Sequence, residues 1–106
     1  MEIAALIIFI ITALLGIYLI SYVMVKKNTP KGIAMIHGAL GALAILFLAL
    51  NVFTYPWIVL FFCLVALGGF ILMILDITGK TLPIWLALGH GILGIVGILT
   101  LLYFII

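Results

Sequence analysis

The chain has two histidines, and each opens the same phrase: HGALG at residues 37–41 and HGILG at residues 90–94. Imidazole is the side chain that exchanges protons near neutral pH and that most often ligates metals. Two imidazoles in matching contexts point to a paired function, so the question is whether the fold brings His37 and His90 together.

The composition fixes the setting. Hydrophobic residues make up 71% of the chain, charged residues 6%, and mean hydropathy is +1.75, well above what a water-soluble core supplies. A bilayer core about 30 Å thick is crossed by roughly 20 apolar helical residues. Four such stretches are expected, at Glu2–Val25, Gly32–Asn51, Pro56–Leu75 and Pro83–Ile105. The breaks KKNTPK, NVFTYP and DITGKTLP hold the Pro, Gly, Asn and charge that end helices and leave room only for tight turns. The fold expected is therefore all-α and integral to the membrane, a four-helix up-and-down bundle forming one domain over residues 1–106. Strands of a barrel would alternate in polarity, and these runs do not. The first span lacks a basic n-region and exceeds a signal-peptide core, so it is expected to persist as a mature helix.

Lys26, Lys27, Lys31 and Lys80 all fall in the first and third breaks. The positive-inside rule puts those turns in the cytoplasm and both termini outside. A net charge of +2 from lysines beside lipid headgroups gives no reason to invoke nucleic acid. Tyr55, Trp57, Tyr22, Trp85 and Tyr103 read as interface anchors. The single Cys63 reads as a small core residue, and Asp76, with Lys80 four residues on, as a helix-end ion pair.

Shifting the chain against itself by 53 residues aligns 15 of 53 pairs without a gap. Several are leucines. Lys27 with Lys80, Pro30 with Pro83, His37 with His90, Gly38 with Gly91, Gly41 with Gly94 and Gly16 with Gly69 carry more weight. The chain thus reads as two helical hairpins, repeats 1–53 and 54–106. A two-crossing unit enters from one side in both copies, so the repeats are parallel, with the second and fourth helices running the same way. Each histidine lies seven residues past its aligned proline, about 10 Å along a helix. Both share one depth and, by pseudo-symmetry, one facing. Counting from the lysines sets Gly16 level with Gly41 and Gly69 level with Gly94, a ring of glycines about one turn from the histidine layer.

Ionisable groups inside a bilayer are costly and are functional-site candidates by default. A haem iron between two axial imidazoles suits two converging histidines with little else polar nearby. On this reading His37 and His90 ligate the iron of one haem b per chain, and Gly16, Gly41, Gly69 and Gly94 let helices approach the macrocycle. Lys27 and Lys80 are the symmetry-matched partners for its propionates. Tetrahedral zinc would want more donors than these. The plainer alternatives are interhelical hydrogen bonds from each histidine to a backbone carbonyl, or to Tyr18 or Tyr22, and close helix packing at the glycines.

The HGxLG repeat in short apolar helices resembles small membrane b-type cytochromes, including the bis-histidine four-helix cores of electron-carrying quinol enzymes. The resemblance covers the two histidine-bearing helices. It implies electron transfer with a quinone or a redox protein, and one histidine pair in place of two implies a single haem. Two other classes remain open: a proton or cation transporter or channel using the histidine pair, and an accessory membrane subunit or homo-oligomer packing through its glycines. Enzymatic catalysis by the chain alone is not expected, because no acid–base pair, activated nucleophile or phosphate loop is present.

Overall fold

The computed structural model describes residues 1–50 and 53–106. It contains four α-helices: α1 (Glu2–Met24), α2 (Lys31–Ala49), α3 (Pro56–Ile77) and α4 (Ile84–Ile105). No strand occurs among the described residues. Each helix is long and apolar enough to cross a membrane, which fits an integral membrane protein. The observed bounds lie within two residues of those expected from sequence. The expected end of the second span at Asn51 falls outside the described residues.

The helix ends follow from local chemistry. Pro30 and Pro83 hold extended backbone immediately before α2 and α4 (φ −69°, ψ 115° and φ −66°, ψ 127°), and Pro56 is the first residue of α3, where its missing N–H costs nothing. α1 and α3 finish in the same way. The amide of Lys27 donates to the carbonyl of Tyr22 and that of Lys26 to Val23; 53 residues on, Lys80 donates to Leu75 and Gly79 to Asp76. These are paired Schellman caps, which require a left-handed residue just past the helix. Gly79 fills that place at φ 76° and Lys26 at φ 58°.

The bundle measures 39 × 20 × 19 Å. α1 packs on α2 and α4, and α3 on α2 and α4, so α1 faces α3 and α2 faces α4 across the diagonals. The packed core lies in the half nearer the chain ends and is built from Ala5, Leu6, Phe9, Ala44, Leu48, Ile58, Val59, Phe62 and Leu101. At its centre the rings of Phe9 and Phe62, 53 positions apart, stack at 4.0 Å and 14°. Leu48 and Leu101, also 53 apart, are fully buried. The other half, toward the lysine-bearing turns, buries little beyond Val23, Thr29 and Ala87.

Large apolar side chains also cover the outside: Ile7, Leu14, Leu46, Leu64, Ile92 and Leu99 are each more than half exposed. Helices apolar all round are those of a membrane span or a deeply buried core. Cys63, expected in the core, is on this outer surface; the small core positions opposite bulky rings are taken by Ala44 and Gly97 instead.

Candidate functional site

The two histidines meet across the α2–α4 diagonal. Their ring centroids are 6.2 Å apart and their planes are nearly perpendicular, at 83°. Each imidazole is tied to the other helix of its own hairpin. His37 Nδ1 lies 2.8 Å from the carbonyl of Thr12 on α1, and His90 Nδ1 lies 2.8 Å from the carbonyl of Val65 on α3. Thr12 and Val65 are again 53 apart. A carbonyl only accepts, so Nδ1 carries the proton and donates in both bonds. In the neutral ring Nε2 is then left with a bare lone pair, and neither Nε2 has a hydrogen-bond partner among the described residues.

Glycine makes this bond reachable. In an α-helix the side chain of residue i+4 lies over the turn that presents the carbonyl of residue i. The residues four after Thr12 and Val65 are Gly16 and Gly69. A Cβ at Gly16 would stand 3.0 Å from His37 Cε1, and one at Gly69 would stand 2.8 Å from His90 Cε1 and 3.1 Å from its Nε2. The space a methyl would take is occupied by the imidazole edge. Of the residues assigned to the site from sequence, Gly16, Gly69, His37 and His90 therefore come together.

Gly41 and Gly94 lie one turn away. A Cβ at Gly41 would meet Thr12 Cγ2 at 3.6 Å, and one at Gly94 would meet Val65 Cγ1 at 3.8 Å. The expected level ring of glycines is thus split: Gly16 is level with His37, and Gly41 with Thr12. Counting both helices from their lysines put them out of register. The same pairing continued along the hairpin sets Lys31 opposite Tyr22, one turn back from Lys26, because residues 27–30 climb back along α1 before α2 starts. Each hairpin is then a ladder of large side chains opposite small ones, and Gly97, whose Cβ would lie 2.8 Å from the Phe62 ring, adds another rung.

Between the two turns, at the end away from the phenylalanine core, is a cleft of about 370 Å³ lined by Lys26, Lys27, Thr29, Asp76, Lys80 and Trp85 among others. Lys27 and Lys80 both reach it, one from each turn. Asp76 does not pair with Lys80 as expected from their spacing. It takes Lys31 Nζ at 2.6 Å and the hydroxyl of buried Thr29 at 2.6 Å, tying the end of α3 to the first turn. Thr29 and Lys31 lie beside the end of α3, so the cross-turn pair outcompetes the local one. Sequence alone offered no signal for it, since their repeat mates, Leu82 and Ile84, are apolar.

A second, apolar cleft of about 220 Å³ on the α3–α4 face reaches His90 past Gly68, Gly89 and Trp85. Three helix hydroxyls bond within their own helices: half-buried Thr12 donates to Ile8, and the exposed Ser21 and Thr100 donate to Tyr18 and Val96. Tyr18 and Tyr22 bond to each other, not to a histidine. No group of three or more His, Cys, Asp or Glu comes together among the described residues, so the protein donors on offer at this layer are the two imidazoles. No protein-family model, curated protein or solved structure matches the chain.

Proposed function

We propose that this chain is an integral membrane haem b protein, with His37 and His90 as axial ligands on opposite sides of one iron. The observation that carries the reading is the pair of anchored imidazoles at 6.2 Å. A ring centroid lies about 1.1 Å from its nitrogen, given ring bonds near 1.33 Å, and a metal–imidazole bond is about 2 Å. Two imidazoles on opposite sides of one metal therefore have centroids about 6.2 Å apart. Rings joined directly by an N–H···N bond of about 2.9 Å would have centroids near 5 Å. The 6.2 Å spacing matches the metal-bridged value and exceeds that of a direct N–H···N bond.

The Nδ1 anchors support the same reading. Ligating histidines donate their other N–H to a carbonyl or carboxylate, which fixes the tautomer and the ring orientation. A haem held this way supplies one-electron redox chemistry. Gly16 and Gly69 set how closely each ring approaches its neighbouring helix, and the lysine-lined cleft, with Lys27 and Lys80 in it, is where propionates find counter-charge. Electron transfer to a quinone or a redox protein is the activity that follows. The helices form two parallel repeats inserted in the bilayer, with the lysine-bearing turns cytoplasmic and both termini outside. The paired caps, the Phe9–Phe62 stack and the matched histidine anchors, all 53 residues apart, support the repeat. A proton or cation channel is less well supported, since Thr12, the half-buried hydroxyl beside His37, donates to Ile8 of its own helix.

The test is the visible spectrum of detergent-purified protein before and after dithionite, with a pyridine hemochrome assay. A Soret band with sharp α and β bands on reduction is expected, lost in both His37→Ala and His90→Ala. Protein that stays colourless after incubation with hemin, or keeps its spectrum in either variant, refutes the proposal.

A further inference from the structure

We propose that the cleft between the two turns binds an oxyanion, a phosphate or carboxylate, and that Lys26 is its dedicated cation. Lys26, Lys27 and Lys80 all line this one cleft of about 370 Å³. The nearby carboxylate, Asp76, is committed to Lys31 and Thr29. Lys31–Asp76 is the only ion pair among the described residues. Lys26, Lys27 and Lys80 thus line a cleft with Thr81 and with one carboxylate, Asp76, that is already paired. Like charges held together are unfavourable, and an anion between them reverses the sign.

The backbone of Lys26 is the independent observation. α1 and α3 end in the same cap, and the residue just past each helix is left-handed. Glycine adopts that conformation without penalty, and the second hairpin uses Gly79. A residue with a Cβ is disfavoured there, and strain of this kind collects at ligand-holding sites. Lys26 therefore sacrifices stability at a position where its structural twin does not. Lys26 lines the cleft; a cap alone would be better made by glycine.

This inference deepens the haem reading, which already places propionates in this cleft, and two of its three test arms use haem-free protein so that the two can fail separately. Lys26→Gly keeps or improves the cap, so loss of binding cannot be put down to unfolding, and Lys26→Arg keeps the charge. Melting temperature would be followed in zwitterionic nanodiscs titrated with inorganic phosphate, and in nanodiscs containing phosphatidylglycerol. A third arm compares uptake of haem with that of haem dimethyl ester, which lacks the carboxylates. Wild type and Lys26→Arg are expected to respond in at least one arm. Lys26→Gly should melt higher than wild type without anion and bind the responding anion about fivefold more weakly, the loss expected for one lysine near a membrane surface. The responding arm names the source: free phosphate, lipid headgroup or propionate. If wild type responds in none, or Lys26→Gly responds like wild type in all three, the proposal is overturned.

Discussion

Replacing Gly69 with alanine tests the notch in which His90 sits. The new methyl would lie 2.8 Å from Cε1 and 3.1 Å from Nε2 of the imidazole. Normal carbon contact is about 3.5 Å, so the ring must retreat by roughly 0.7 Å or the helices must part. A retreat of that size takes the Nδ1–carbonyl distance from 2.8 Å to the edge of what counts as a hydrogen bond. Losing an interhelical bond within a membrane costs about 0.6–2 kcal/mol, and overpacking adds about 1–3. Against this, alanine improves helix propensity by about 1 kcal/mol. The net expectation is destabilisation by about 0.6–4 kcal/mol, with weakened haem uptake. Gly91→Ala is the control, because nothing lies within 4 Å of its Cβ position; it should be neutral or stabilising by up to about 1 kcal/mol. Gly16→Ala, where the clash is 3.0 Å, should fall between. Unfolding in mixed micelles of rising SDS fraction gives the order directly. Equal stability of Gly69→Ala and Gly91→Ala would refute the notch.

Thr12→Val should leave stability within about 0.5 kcal/mol and the spectrum unchanged, because the group that holds His37 is the backbone carbonyl, and Val65 already does the same for His90; loss of pigment would contradict this. Phe9→Ala and Phe62→Ala should each cost about 3–5 kcal/mol. Combined, they should cost less than the sum by about 0.5–1.5 kcal/mol, the worth of the stack that each alone removes, so strict additivity in the SDS titration would speak against the contact. Lys31→Gln should lower stability by up to about 1 kcal/mol by breaking the Asp76 pair, while Lys80→Gln should leave that pair intact; equal losses would place Asp76's partner wrongly.

The helices were legible because their cause is local. Apolar runs bounded by Pro30, Pro56 and Pro83 leave few other structures open to the chain. The nearness of His37 and His90 agrees with their equal offsets from Pro30 and Pro83, which predict equal depth along the two helices. Register within a hairpin was not legible: it depends on how residues 27–30 fold back, and an error of one turn moved Gly16 from Gly41 to His37. The partner of Asp76 was hidden for a related reason. An i, i+4 lysine is visible in sequence, whereas a lysine brought over by the neighbouring turn is not. Glycine spacing did hold a usable signal: a glycine four residues after a carbonyl, opposite a histidine, marks an exposed acceptor.

The histidine layer is hard to account for as packing alone. Each anchor returns only about 0.6–2 kcal/mol inside a membrane. Among the described residues neither Nε2 has a hydrogen-bond partner, and an unsatisfied polar group in hydrocarbon costs several kcal/mol. Two glycines, poor helix residues, are also spent on bringing the rings against carbonyls. A Phe–Gly rung like that of Phe62 and Gly97 would hold the helices together without a buried polar group. On the proposed reading, an iron held by both Nε2 atoms would satisfy their lone pairs in the tautomer that the carbonyls impose. The phenylalanine core closes the bundle on one side of this layer and the lysine cleft opens it on the other. A haem held as proposed would have its carboxylates beside these cations when its iron is at the histidines.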